Sequence, residues 1–262
     1  MGGTKTKTPK KAAPKKAVQK KAVPKKAVQK KADAKQNRVV IVYQSGGDYD
    51  ARYVENLIAC CRRFLSFGKY SFDVYTDCAD EVANLLKSKD TRQMPTDVAL
   101  IELDRSLPGW WCKLEIFAET PEEDVSYLYL DLDTIIVSKC VVDTLKQGFC
   151  MLEAFNRHRR WASGAMLWKN VDLGYLIDDL DDADRTTFYE GDQLKFEQNW
   201  IVEKSESESQ KIESFNARVS GNIISYRHNA LRSLPSGTSI VCFHGHPRPH
   251  EAQTDWVQEC WK

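Results

Sequence analysis

Two aspartates, Asp131 and Asp133, stand one residue apart within an apolar stretch that runs from Tyr127 to Val137. Carboxylates flanked by core residues are costly to bury without partners, which argues against an ordinary polar turn. If the chain stays extended here, side chains at i and i+2 point to the same side of the strand. Two hard oxygen ligands at a strand end suit Mg²⁺ or Mn²⁺, with phosphate oxygens completing the coordination shell. The pattern therefore predicts metal–phosphate chemistry.

The segments before this pair alternate between strand-like and helix-like patterns. Apolar, β-branched runs predict strands over residues 38–43, 72–76 and 98–101, and helical apolar spacing covers residues 49–67 and 79–88. This alternation predicts a parallel sheet with helices on its faces. The sequence contains neither G-x-G-x-x-G nor G-x-x-x-x-G-K-[ST], which leaves out the dinucleotide fingerprint and the P-loop.

Charge divides the 262 residues into two unlike parts. Residues 1–37 carry 13 Lys, no Arg and one acid, a net charge of +12, whereas residues 38–262 carry 25 basic and 36 acidic residues, a net charge of −11. From Lys10 the first part repeats KKAAP, KKAVQ, KKAVP, KKAVQ and KKADA. Its lysines repel each other, its prolines break helices, and its few apolar side chains cannot offset the entropy of ordering. We therefore predict a disordered basic tail before one α/β domain over residues 38–262.

The tail has two possible roles. It could be a simple tether, or it could bind nucleic acid or another anionic surface through counterion release. Without aromatic side chains or Arg, the second role is restricted to non-specific contacts.

Other classes of protein are disfavoured by composition. The sequence has no run of about 18 apolar residues, so we expect no membrane-spanning helix. Its N-terminus lacks the apolar core of a secretory signal. The eight Cys are scattered without a C-x-x-C pair, which is typical of reduced thiols and predicts a cytoplasmic protein.

Two enzyme classes share the D-x-D pattern. Phosphatases of the haloacid-dehalogenase type carry it after the first strand, whereas transferases that use nucleotide sugars carry it after a nucleotide-binding half. Asp131 lies 93 residues after Arg38, with three predicted strands between them, which favours the transferase. A phosphatase would need a further acidic pair, which residues 178–182 could supply. A third hypothesis is a nucleic-acid-tethered module without enzymatic activity.

Five sequence blocks extend the comparison. They are residues 109–117 with Lys113, 128–136 with both aspartates, 161–168 with Ser163 and Gly164, 191–193 with Asp192 and Gln193, and 240–249 with Gly245 and Arg248. In this order they resemble the glycogenin-like glycosyltransferases of family eight and their phage and bacterial relatives. The resemblance covers residues 38–262 and implies a GT-A, Rossmann-like domain with a mixed central sheet. It also implies metal-dependent transfer of a hexose, with retention, from a nucleoside-diphosphate sugar, for which we expect UDP.

The resemblance also implies roles for particular residues. Mn²⁺ or Mg²⁺ would be bound by Asp131, Asp133 and His244. Asp192 and Gln193 would face the anomeric carbon opposite the leaving group. The donor would be bound by Tyr43, Gln44, Ser45, Gly46, Gly47, Tyr49, Lys113, Asp131, Ser163, Gly164, Gly245 and Arg248. The acceptor, whether glycan, protein or small molecule, is not named by the sequence.

The closing block departs from the family pattern in two places. Cys242-Phe243 stands where the family has His-Phe, with a His only later, at 244. The third metal ligand is therefore open between His244 and Cys242, or the two aspartates act alone. Arg248-Pro249-His250 replaces Lys-Pro-Trp, and a guanidinium matches phosphate geometry better than an ammonium does. Of the seven Trp, only Trp161 is assigned to the sugar pocket.

Overall fold

A computed structural model of the chain describes residues 36–87, 93–156 and 158–261. The predicted basic tail lies outside these residues, apart from residues 36 and 37. All eight Cys are free thiols, six of them buried. None of the helices in the described part of the chain combines the length and the apolarity that a membrane crossing needs.

Strands outnumber helices in the described residues. The strands are β1 (Asn37–Tyr43), β2 (Leu65–Ser66), β3 (Tyr70–Thr76), β4 (Val98–Glu102), β5 (Ser126–Leu130), β6 (Thr134–Ile136), β7 (Cys140–Val141), β8 (Gly148–Glu153), β9 (Trp161–Lys169), β10 (Tyr189–Glu190), β11 (Gln193–Leu194), β12 (Ile212–Ser214), β13 (Asn222–Ser225) and β14 (Thr238–Cys242). The α-helices are α1 (Arg52–Phe64), α2 (Ala79–Leu86), α3 (Arg185–Phe188), α4 (Glu197–Ser207) and α5 (Asp255–Cys260). A 3₁₀ helix spans Gly109–Phe117.

The main sheet has seven strands in the order β12-β8-β9-β5-β1-β3-β4. Strands β5, β1, β3 and β4 run parallel, whereas β9 runs antiparallel to both of its neighbours. The predicted mixed sheet with a parallel first half is therefore confirmed. A second, three-stranded sheet has the order β13-β14-β6.

Alternating side chains of β1 belong to two apolar clusters. Val39 and Ile41 pack with the buried residues of α1, whereas Val40 and Val42 pack with the 3₁₀ helix through residues such as Trp111. Side chains of a strand alternate between its faces, so the central strand is covered on both faces. This burial accounts for its almost continuous apolar sequence.

The predicted helices and strands are present with shifted ends. The helix predicted over 49–67 begins at Arg52 and ends at Phe64, because Leu65 and Ser66 pair with β7. The condition that the chain stays extended through Asp131 and Asp133 is not met. Strand β5 ends at Leu130 and the chain turns, with Thr134 N donating to Asp131 O at 3.0 Å. The turn is needed because β6 leaves the main sheet to pair with β14.

Candidate functional site

The strand order of the main sheet reverses beside β1. The chain moves from β1 outward to β3 and β4, then returns to place β5 on the other side of β1. In open α/β sheets, ligands bind at the carboxyl ends of the strands where the order reverses. Tyr43 and Asp131 lie at this point, at the ends of β1 and β5.

Asp131, which is about one third exposed, joins an ionic cluster with the buried Lys113 and Glu197. Lys113 Nζ lies 2.8 Å from Asp131 Oδ1 and 3.0 Å from Glu197 Oε1. Asp131 Oδ1 also accepts a hydrogen bond from Tyr129 at 2.5 Å, and Ser163 Oγ donates to Glu197. Lys113 is only 5 % exposed, so it is not the solvated lysine that an amphipathic helix would carry. One ammonium therefore serves two carboxylates.

The electrostatics keep Lys113 charged. Burial disfavours the ammonium, yet the nearby Asp131 and Glu197 carboxylates outweigh burial and raise the pKa of Lys113 above its ordinary value. The cation is thus fixed beside the strand end, with its side chain held between two elements. Gly164, which follows Ser163 on β9, leaves room for Asp131: a Cβ there would lie 3.4 Å from Asp131 Oδ2.

Asp133 belongs to a second cluster, contributed by the loops after β1 and β14. Its Oδ2 accepts hydrogen bonds from Tyr49 at 2.7 Å and from Arg248 at 2.8 Å. Arg248 also donates to the Tyr49 hydroxyl at 2.6 Å and to Asp48 at 3.1 Å. The guanidinium lies over the Tyr49 ring, 4.8 Å from its centroid. Tyr49 is thus occupied with Asp133 and Arg248 in this structure.

The two aspartates influence each other although the chain turns between them. Burial raises the pKa of Asp133, and the Asp131 carboxylate raises it further; Tyr49 and Arg248 act in the opposite direction without offsetting the shift. Their backbones are anchored separately, since Asp131 N donates to Gly164 O and Phe243 N donates to Asp133 O. Two neighbouring, partly desolvated carboxylates favour an additional cation.

The loop after β1 lies beside the end of β3. Ser45 donates to Asp77 from both its amide and its hydroxyl, each at 2.8 Å, and Gln44 donates to Leu107 O at 3.0 Å. Burial, followed by Cys78 and Glu81, raises the pKa of Tyr43 to about 12. Gly46 has a φ of 81°, and both Gly46 and Gly47 are exposed with open space where a Cβ would lie. The loop therefore leaves its glycines accessible at the reversal point.

The two candidates for a third metal ligand, His244 and Cys242, lie in or just after β14. His244 Nε2 lies 2.6 Å from Ser225 Oγ, and its ring stacks on Phe155. Burial, then His228 and Arg227, lower the pKa of His244. Cys242 is buried in β14, and Gly245 is exposed with a φ of 77°. Within residues 36–87, 93–156 and 158–261, no group of three or more His, Cys, Asp or Glu could hold a metal ion.

Asp192 and Gln193 lie in the hairpin of β10 and β11. Asp192 is in its turn, with a fully exposed side chain whose carboxylate lies 3.1 Å from Arg185. Lys113 pairs with Asp131 and with Glu197, not with Asp192. Sequence reasoning missed Glu197. The only signal was a second acid–Gln pair, Glu197-Gln198, five residues after Asp192-Gln193. Asp77 was missed as well, because nothing in the sequence pairs it with Ser45.

Comparison with solved structures identifies the fold of the chain. No protein-family profile and no curated protein matches the sequence. The apo-form glycosyltransferase GlyE of Streptococcus pneumoniae matches with a TM-score of 0.54 and 14 % identity, over 86 % of this chain and 63 % of GlyE. The galactosyltransferase LgtC, in complex with donor and acceptor sugar analogues, matches with a TM-score of 0.51 and 10 % identity, over 85 % of this chain and 93 % of LgtC. The chain has a GT-A glycosyltransferase fold.

A third structure extends the same result. The bifunctional glycosyltransferase WbbM matches with a TM-score of 0.53 and 10 % identity, over 89 % of this chain and 52 % of WbbM. The GT-A chain described here thus spans less than two thirds of GlyE and about half of WbbM, but nearly all of LgtC. At these identities the similarity concerns the fold.

Proposed function

We propose that the chain is a metal-dependent glycosyltransferase that moves a hexose from a nucleoside-diphosphate sugar, with UDP-sugar as the expected donor, to an acceptor hydroxyl. The observation that carries the proposal is the placement of Asp131 and Asp133. They lie where the strand order reverses, with a buried Lys113–Glu197 pair on one side and Arg248 on the other. GlyE and LgtC, which share the fold, are both glycosyltransferases.

A divalent cation fits the donor set if the substrate supplies further ligands. Hydrogen bonds from the described residues engage Asp131 through Oδ1 and Asp133 through Oδ2. The second oxygen of each carboxylate is then the candidate metal ligand. Mg²⁺ and Mn²⁺ are commonly held by one or two carboxylates together with substrate phosphates, so two protein ligands are sufficient. When bound, the cation would act as a Lewis acid that stabilises the charge developing on the leaving diphosphate.

The protein groups around the pair have distinct proposed tasks. Lys113, Glu197 and Ser163, which bond to one another, offer polar groups that suit sugar hydroxyls, and Gly164 leaves space beside Asp131. Arg248 would exchange Asp133 for the diphosphate, which a guanidinium can bind in a bidentate manner. The loop from Gln44 to Gly47 would bind the base.

We propose two candidate positions for the group that faces the anomeric carbon opposite the leaving group. Asp192 and Gln193 are the pair implied by the family resemblance, and Glu197 is the acid that lies beside Asp131. A carboxylate there could act as a nucleophile, as a stabiliser of the oxocarbenium ion or as a general base. Retention is the outcome that we expect from the resemblance.

The phosphatase alternative has less support. The acids that it would need form surface ion pairs, Asp181 with Arg105 at 2.6 Å and Asp179 with Lys204. Both carboxylates are more than half exposed. The D-x-D pair also follows the fourth strand of the parallel set rather than the first.

A thermal-shift panel tests the proposed donor site. UDP, GDP, ADP, CDP and dTDP are each added with and without Mn²⁺. A ligand at about 100 times its Kd adds about 2.7 kcal/mol to the free energy of unfolding, so we expect a rise in Tm of roughly 5–10 °C for one nucleotide, UDP, and only with metal. No shift with any nucleotide, together with phosphate release from p-nitrophenyl phosphate, would favour the phosphatase instead.

Arg248→Met is expected to change metal and nucleotide binding in opposite directions. Without the guanidinium, Asp133 loses its competing cation, so Mn²⁺ alone should bind about 3–10 times more tightly. UDP with Mn²⁺ should bind about 10–100 times more weakly, because the charge-assisted contact to the diphosphate is lost. Isothermal titration calorimetry measures both affinities. Arg52→Met is the matched control, since Arg52 is exposed and bonds to Asp50 in the neighbouring loop. Equal effects of the two substitutions would contradict the role of Arg248.

A further inference from the structure

Two half-exposed aromatic rings stack beside the candidate donor site. Trp110 is 43 % exposed and Phe196 is 49 % exposed, and their planes lie 15° apart with centroids separated by 5.8 Å. Trp110 Nε1 donates to Lys195 O at 2.8 Å, which fixes the edge of the indole. The Arg159 guanidinium lies 4.4 Å from the Phe196 centroid. The pair is thus held in place while much of its apolar surface remains in water.

The aromatic pair is continuous with the ionic cluster of the donor site. Trp110 and Lys113 are three residues apart on a 3₁₀ helix, where side chains at i and i+3 lie on the same side, about 6 Å apart along the axis. Phe196 directly precedes Glu197, whose carboxylate lies 3.0 Å from Lys113 Nζ. The same two elements that position the buried cluster therefore carry the exposed rings.

A cavity of about 420 Å³ opens at the same edge of the sheet. Its lining includes Glu153, Arg160, Trp161, Lys211 and Ser214. Strands β5 and β8 both run antiparallel to β9, so the end of β8 at Glu153 lies toward the same edge of the sheet as Asp131. Asp131 N bonds to Gly164 O, whereas Glu153 pairs with Trp161, so the two acids are about 14 Å apart, from two strand spacings across the sheet and three residues along β9. The lining mixes both charges with a hydroxyl, which suits a neutral ligand rich in hydroxyl groups rather than a strongly charged one.

We propose that Trp110 and Phe196 form the acceptor-binding surface, and that the acceptor is a carbohydrate whose pyranose ring stacks on this pair. The apolar C–H face of a pyranose matches an exposed aromatic ring, while its hydroxyls find a donor in the Arg159 guanidinium. The cavity lined by Glu153, Arg160 and Trp161 then accommodates a further sugar unit. This inference rests on the proposed function, since it names the acceptor class for that same site.

Saturation-transfer NMR on the full chain with UDP and Mn²⁺ tests the proposal. The probes are methyl β-D-galactopyranoside, methyl β-D-glucopyranoside, methyl α-D-mannopyranoside and lactose. At least one is expected to receive saturation at its ring C–H protons. Trp110→Ala and Phe196→Ala should each lower the affinity of the protein for that sugar about tenfold. Leu231→Ala, which removes an apolar side chain of 50 % exposure outside the pair, should leave its affinity unchanged.

The UDP thermal shift, recorded on the same samples, tests the proposed donor site separately from the carbohydrate acceptor surface. A UDP shift without saturation of any sugar would overturn the carbohydrate acceptor and leave the donor site standing. Saturation that persists unchanged in both alanine variants would also overturn the assignment to this pair. Saturation that depends on Trp110 but occurs without any nucleotide shift would support the carbohydrate surface and contradict the proposed transferase.

Discussion

Asp133→Asn is expected to abolish the metal-dependent part of nucleotide binding in a protein that still folds. Asn keeps the shape of the side chain and its contact with Tyr49, but it removes the charge that a divalent cation needs. In enzymes, loss of a group that stabilises developing charge costs about 10²- to 10³-fold in rate, and we expect a loss of comparable size here. We expect the affinity for UDP with Mn²⁺, measured by calorimetry, to fall by at least 10²-fold, along with Mn²⁺-dependent hydrolysis of the donor.

The pH dependence of stability, measured on Asp133→Asn and on wild type without ligand, is a second test. The folded-state pKa of Asp133 is raised above its unfolded value, so the folded state holds a proton that the unfolded state has already lost. Asp133 therefore destabilises the fold increasingly as pH rises from the ordinary carboxyl pKa to the raised one. The stability difference between Asp133→Asn and wild type should grow over this window and then level off.

A matched control for this substitution is Asp179→Asn, which removes a carboxylate from an exposed pair with Lys204. Its nucleotide affinity should equal that of the wild type. If Asp133→Asn retained the Mn²⁺-dependent affinity for UDP, the metal assignment would fail.

Lys113→Met should cause the largest loss of stability. The substitution leaves the Glu197 carboxylate, 4 % exposed, without its cation, and it removes a partner of the partly exposed Asp131. Breaking a buried ion pair by removing one member costs about 3–5 kcal/mol, which is a large part of the 5–15 kcal/mol that stabilises a typical domain. Urea denaturation monitored by circular dichroism measures the change.

Two further variants separate charge from packing at this position. Lys113→Met combined with Glu197→Leu replaces the pair with apolar groups and should recover about half of the loss or more. Lys204→Met, which disrupts a surface pair, should cost less than about 1 kcal/mol. A double variant as unstable as the sum of its single variants would show that Lys113 and Glu197 are not coupled.

Local patterns in the sequence were sufficient for the first half of the fold. Strands β1, β3 and β4 and helices α1 and α2 have apolar spacing that depends only on neighbouring residues. Asp131 and Asp133 were found for a similar reason, because carboxylates inside an apolar run are uncommon. The turn between them was not found, since it depends on β6 pairing with β14, about 100 residues later.

The site residues also differ in whether local sequence patterns or long-range contacts determine their positions. A sequence block indicates Lys113, but its ion pair with Glu197 joins residues that are 84 positions apart. Glu197 itself stands in a polar stretch that reads as an exposed helix, so no local pattern indicated that it is buried. Arg248 was predicted to meet a diphosphate, yet its bonds to Asp48 and Tyr49 close a separation of about 200 residues. Such long-range pairings have no periodic signature.

The two aspartates are held by different sheets, so the carboxylate pair lies where the two sheets meet. Asp131 is tied to the main sheet through Gly164, and Asp133 is tied to Phe243, which follows the second sheet. Changes on the β9 side and changes on the β14 side can therefore accumulate independently. Under the proposed function, the preference for a sugar would depend on the β9 side and the binding of the leaving group on the β14 side, so that each could be re-engineered while the other is held constant.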